Sequence, residues 1–162
     1  MKFVLALLMM MSFVLTACGA DRPQQSAAEP VNTAQAASPV ADNLQRVSVK
    51  VNGQEATLVL LDKPASRALL ERLPVTVTFE DFNNVEKIGY LPEALKLAEG
   101  PEGHAPAVGD FCIYGPWGNL SVFYKEYRFS KDLYYLGRIE KGLEHFTNSE
   151  GKLTVTLEGV EK

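Results

Sequence analysis

Val47, Val49 and Val51 alternate with Ser48 and Lys50, a period of two that turns one face of a strand to a core and the other to water. Asn52-Gly53 follows, the pair favoured by a two-residue type I′ hairpin. The return segment Ala56 to Leu61 is apolar on both faces, as a more central strand requires. Asp62 and Pro64 then open a short helix, with Ala65, Leu69 and Leu73 at i, i+4 and i+8 and Leu70 widening the stripe. Arg67 and Glu71 are spaced to pair on its wet face. Pro74 closes it.

Val75, Val77 and Phe79 alternate with Thr76, Thr78 and Glu80 in a second clear strand, and Asn83-Asn84 turns the chain into a short strand over Glu86 to Tyr90. Leu91 to Val108 carries three prolines and two glycines and reads as loop, with one helical turn near Ala94. Strands are expected at Phe111 to Tyr114, Leu120 to Lys125, Tyr134 to Ile139 and Leu153 to Leu157, and a helical turn over Gly142 to Phe146. About eight strands with one or two short helices, and no internal repeat, predict an antiparallel barrel or sandwich.

The N-terminal pattern is different in kind. Lys2 precedes an apolar run from Phe3 to Leu15, too short to span a bilayer and of the length of a signal-peptide core. Leu15-Thr16-Ala17-Cys18 ends it and resembles the lipobox of bacterial lipoproteins. The resemblance implies cleavage before Cys18, lipid attached to its thiol and acylation of the new N-terminus, palmitate included. A secretory signal with a chance cysteine is the alternative. Gly19, in place of Asp, follows Cys18, which resembles outer-membrane sorting in a two-membrane cell, so a cell-envelope location facing the periplasm is expected.

Residues 1–17 therefore stand apart as a signal peptide. Residues 18–45 are rich in Ala, Gln, Pro, Ser and Asn and bury too little apolar surface to offset the entropy of ordering. They read as a lipidated tether, with a mean span of roughly 25–30 Å for about 25 flexible residues. Residues 46–162 hold the folded domain, long enough for one core.

Removing residues 1–17 takes away Lys2 alone among the charged residues and leaves 15 basic against 20 acidic side chains, a net charge of −5. An acidic chain without a Lys/Arg cluster has no electrostatic footprint for nucleic acid, and the lipid must supply any membrane affinity. With Cys18 acylated, the second cysteine, Cys112, has no intramolecular partner. Between Phe111 and Ile113 it reads as a buried, inert thiol.

Common catalytic signatures are absent: no G-x-S-x-G, phosphate-binding glycine loop, dinucleotide fingerprint or H-E-x-x-H occurs. His104 and His145 lack metal-ligand spacing, so no metal and no cofactor is expected. His104 reads as solvated in the Pro/Gly loop, His145 as a helix-surface or half-buried residue. Glu80-Asp81 reads as a solvated pair at a strand end, because neighbours on a strand point to opposite faces.

The one dense constellation runs from Gly109 to Tyr124, where Gly115-Pro116-Trp117-Gly118-Asn119 bends the backbone around the only tryptophan. Such an aromatic bend either lids a ligand pocket or caps one end of the core. Both readings stand at this point.

The order of pieces resembles the bacterial cyclophilin-like proteins. The matching segments are Leu61 to Arg67, Leu73 to Thr78, Glu86 to Ile88, Gly109-Asp110 with Tyr114 to Tyr124, and Leu136 to Ile139 followed by Gly142 to Glu144. They extend over nearly all of Val47 to Leu157. The resemblance implies a mainly β fold, a closed eight-stranded barrel with one or two short helices.

The enzyme inference transfers poorly. Cyclophilin isomerases share a strand arginine that donates to the twisting prolyl amide, and Val75 to Tyr90 contains no arginine. Lys87 is the cation available there, and an ammonium lacks guanidinium's planar fork. The aromatic wall is retained in type through Phe79, Tyr114, Trp117 and Phe123, with Asn119 at the rim. The expectation is a lipid-anchored binding domain for a small molecule or extended peptide, without catalysis. The alternatives are a weak peptidyl-prolyl isomerase and a structural or assembly lipoprotein using a strand edge or barrel end.

Overall fold

Asn52 and Gly53 take the φ values of +49° and +84° that a type I′ turn demands, and the register they impose pairs Val51 with Gln54 and Val47 with Leu58. That hairpin begins a closed barrel in a computed structural model that describes residues 44–160. The expected signal peptide, Cys18 and all but the end of the expected tether lie outside the described residues.

In chain order the elements are β1 (Gln45–Val51), β2 (Gln54–Leu60), α1 (Pro64–Leu70), β3 (Val75–Phe82), β4 (Glu86–Gly89), β5 (Asp110–Tyr114), β6 (Asn119–Phe123), β7 (Leu133–Lys141), α2 (Glu144–Thr147) and β8 (Leu153–Val160). The eight strands close in the order β1-β2-β7-β5-β6-β4-β3-β8, antiparallel at every joint. Closure removes the free edges that an open sheet exposes.

Strand alternation fills the interior. Val47, Val49, Val51, Leu58, Leu60, Val77, Phe79, Phe111, Ile113, Leu120, Val122, Leu153, Val155 and Leu157 all point inward and are buried. Ala65 and Leu69 of α1 and Phe146 of α2 join the same core. Ser66, buried with them, donates from Oγ to the Leu136 carbonyl at 3.2 Å. Close packing shows at Gly137, where an added Cβ would stand 1.9 Å from the Val59 carbonyl oxygen. Only a glycine lets β2 and β5 both pair with β7 there.

Three local expectations are corrected. The stretch around Ala94 has no helical turn. Helix α1 stops at Leu70; Leu73 still packs against the core, but from the segment after the helix. Arg67 pairs with Asp62 rather than Glu71, because the carboxylate just before the helix lies within reach of its guanidinium.

Candidate functional site

Strand parity creates an outer face as definite as the core. On β6, Leu120 and Val122 point inward, so Asn119, Ser121 and Phe123 point out. On β5, Phe111 and Ile113 point inward, so Cys112 and Tyr114 point out. On β4 the outward pair is Glu86 and Ile88, which pair across the ladder with Phe123 and Ser121.

The segment 124–132 then folds back over this face. Its hold is backbone: His104 and Ser130 exchange N–H···O bonds, each 2.9 Å, and Tyr127 N–H donates to the Pro106 carbonyl at 3.0 Å. Side chains reinforce it. His104 Nε2 lies 2.7 Å from Asp110 Oδ2, and its ring stacks on Tyr135 with centroids 4.2 Å apart. Asp110 is buried and also accepts the Ala107 N–H at 2.9 Å. His104 is thus not the solvated loop residue that its Pro/Gly surroundings suggested; it latches the covering segment to the barrel. His145 is half-buried beside Glu144, as expected.

Between the outer face and the covering segment is a cavity of about 520 Å³. Four of the residues expected at a site line it: Tyr114, Trp117, Asn119 and Phe123. Trp117 is 52% exposed, so it does not cap the barrel core. Its ring meets Phe82 edge-on at 5.5 Å and Tyr114 edge-on at 5.4 Å, with interplanar angles of 86° and 87°. The type of turn explains the exposure. Trp117 and Gly118 both donate backbone N–H bonds to the Tyr114 carbonyl, which pulls the β5–β6 connection tight and stands the indole beside the cavity.

Two expected site residues lie elsewhere. Phe79 is 1% exposed inside the barrel, edge-on to Phe146 at 6.2 Å; alternation from Val77 turns it inward. Lys87 has the opposite parity to Glu86 and is likewise turned away from the cavity. Its side chain is buried, with Nζ 3.0 Å from Asp81 Oδ2, 3.2 Å from the Ser149 carbonyl and 5.7 Å from the Tyr124 ring centre. The ammonium is committed to that cluster. Asp81, expected to be a merely solvated carboxylate, also accepts from the Tyr124 hydroxyl at 2.7 Å. That bond first, and Lys87 after it, hold its carboxyl below the usual range. Burial and the same neighbour push the Tyr124 phenol up to about 12.

Sequence reading missed Glu86, Ser121 and Phe82. Glu86 is half-buried among cavity residues; burial raises its carboxyl above the ordinary value, with a hydrogen bond from Ser121 acting against the shift. Asn119 is 2% exposed and donates from Nδ2 to Ser121 Oγ at 2.9 Å and to the Leu120 carbonyl at 3.3 Å. Among the described residues, its Oδ1 has no hydrogen-bond partner. The signal that could have found Glu86 was the alternation that carries Lys87 to the other face.

Cys112 is buried beneath Phe123 and Leu133, and burial above all pushes its thiol well above the ordinary range. Its burial is as expected. Arg128 lines the cavity from the covering segment, with its guanidinium carbon 5.6 Å from the Tyr127 ring centre. Among the described residues, no three His, Cys, Asp or Glu side chains gather as metal ligands, and no helix is long and apolar enough to cross a membrane.

A model of the cyclophilin-like family matches residues 49–158 of the chain. Among solved structures, the chain is similar to the solution structure of the hypothetical protein AF2241 from Archaeoglobus fulgidus. The TM-score is 0.58 at 18% identity, covering 71% of this chain and 94% of that one. At that identity the likeness is one of fold. No curated protein matches.

Proposed function

The chain belongs to the cyclophilin-like family, and we propose that its barrel is a binding domain that holds a small molecule or extended peptide in the aromatic cavity without catalysing its conversion. The observation that carries this reading is the pairing of a partly exposed Trp117 with a buried acceptor that has no partner among the described residues, Asn119 Oδ1, on the wall of one cavity. A pocket with an apolar wall and a few placed polar groups is the ordinary form of a ligand site. The lipobox-like Leu15 to Cys18 supports a lipid anchor in the cell envelope, facing the periplasm where there are two membranes.

Catalysis of prolyl isomerisation needs a cation held against the amide, and Lys87, the only one on β3 and β4, is buried against Asp81 on the far side of the sheet. Arg128 keeps a second reading alive: it stands at the cavity wall and could serve a weak peptidyl-prolyl isomerase from the covering segment. It is exposed and lies beside Tyr127, so nothing preorganises it toward a substrate. An assembly role through a strand edge loses its footing in a closed barrel, leaving only a barrel end.

Trp117 is the single tryptophan, so its fluorescence reports the cavity directly. Titration with fractionated envelope extract should give a saturable change that Asn119→Ala weakens or abolishes. No change with any fraction would overturn the binding reading. Acceleration of prolyl isomerisation that Arg128→Ala removes would replace it with the second.

A further inference from the structure

Two polar side chains of the cavity wall, Asn119 and Glu86, offer acceptors. The Leu120 carbonyl can only accept, so the amide nitrogen of Asn119 must face it. Asn119 Oδ1 is therefore left as a buried acceptor with no donor among the described residues. Such a group is destabilising while unpaired. Glu86 is the second acceptor: burial disfavours its charge, and among the described residues no Lys or Arg forms an ion pair with it.

Two cations also line the cavity, both on the exposed covering segment. Lys131 is 3.0 Å from Asp132, and Arg128 lies beside Tyr127. Lys131 is also largely exposed, where salt screens its charge.

Register puts an aromatic residue beside each acceptor. Phe82 is the cross-strand partner of Glu86, and Tyr114 is the partner of Asn119. Trp117 bridges the two rings, near-perpendicular to each. Faces of aromatic rings attract cations, and buried acceptors require N–H donors. A quaternary ammonium meets the first condition only; an alcohol meets neither the charge nor the number of donors.

We propose that the cavity takes a primary alkylammonium group. Its N–H groups donate to Asn119 Oδ1 and the Glu86 carboxylate, and its alkyl chain lies against Phe82, Tyr114 and Trp117. This rests on the binding reading above and names the chemistry of the ligand. A free amine and a lysine side chain of a peptide present the same group.

The test titrates the full-length chain with n-pentylammonium, 1-pentanol, pentanoate and tetramethylammonium, following Trp117 fluorescence. A lysine arm uses Nα-acetyl-lysine N-methylamide. The expected result is saturable binding of pentylammonium at least tenfold tighter than of the other three small probes. Glu86→Gln should weaken it tenfold or more while leaving the thermal midpoint unchanged or higher. Equal or tighter binding of the lysine amide identifies a peptide side chain as the source of the group; weaker binding identifies a free amine. Equal affinity for pentanol or pentanoate overturns the ammonium assignment and leaves the binding reading standing, as does full affinity in Glu86→Gln. Silence toward every probe overturns the assignment; the binding reading falls with it only if the envelope fractions are silent too.

Discussion

Trp117→Ala separates a ligand wall from a core plug by its effect on stability. The side chain is about half exposed. A wholly buried tryptophan removes up to about 250 Å² from water, so the half buried here amounts to roughly 120 Å², or about 3 kcal/mol at 25 cal/mol per Å². That figure is an upper bound, because the unfolded chain already buries part of this surface and alanine retains some. The edge-on contacts with Phe82 and Tyr114 add to it, but both rings are themselves only half-buried and can relax into the space left. A loss of about 1–2 kcal/mol is expected, against the 3–5 kcal/mol typical of an aromatic deleted from a core.

The matched control is Phe79→Ala, a ring 1% exposed inside the barrel, which should lose about 3–5 kcal/mol. Urea unfolding followed by far-ultraviolet circular dichroism measures both, since the first variant has lost the only tryptophan. A loss above about 3 kcal/mol for Trp117→Ala, or one equal to that of Phe79→Ala, refutes the assignment of Trp117 to the cavity wall.

Other expectations are independent of that one. Cys18→Ser should move the protein from the membrane pellet to the soluble fraction or make it removable by a salt wash; full recovery in the pellet would remove the lipid anchor. A chain starting at Leu44 should keep its thermal midpoint, whereas one starting at Asn52 loses β1 and with it the ladders to both β2 and β8, so equal midpoints would contradict the closed barrel. Gly137→Ala places a methyl against the Val59 carbonyl oxygen and should cost about 3 kcal/mol or more by urea unfolding. Asp81→Asn removes a carboxylate whose pKa is lowered in the folded state, first by the Tyr124 hydroxyl and then by Lys87. Its stabilisation is present above the ordinary aspartate pKa of about 3.9 and lost as pH falls through the lowered value, so the variant's deficit should be larger at pH 7 than at pH 3.

The fold was legible because two signals agreed. The type I′ turn at Asn52-Gly53 specifies a register locally, and the valines of β1 alternate in the same register, so turn and core name one hairpin. The order of pieces supplied closure, which no local pattern carries: β1 pairs with β8 across most of the chain, and nothing in either strand alone announces the other. The loop latch was illegible for a related reason. His104 lies among prolines and glycines, and the partners that take it out of solvent, Asp110, Ser130 and Tyr135, are set by the path of the chain rather than by spacing.

The site was legible only in half, and the division follows the faces of the strands. A short aromatic bend keeps its residues together, so Tyr114, Trp117, Asn119 and Phe123 reached one cavity. Phe79 and Lys87 were grouped with them by chemical type, and type carries no parity. On β4, Lys87 and Glu86 are neighbours on opposite faces, and the cavity selects the acid. That choice changes the chemistry of the pocket as well as its residue list. With the lysine inside, the wall would offer a donor to a carbonyl, as an isomerase needs; with the glutamate inside, it offers an acceptor beside a second acceptor, Asn119 Oδ1. On the binding proposal above, a cavity built that way suits a group that gives hydrogen bonds. A proline-containing backbone, whose tertiary amide has none to give, is a poor match to it.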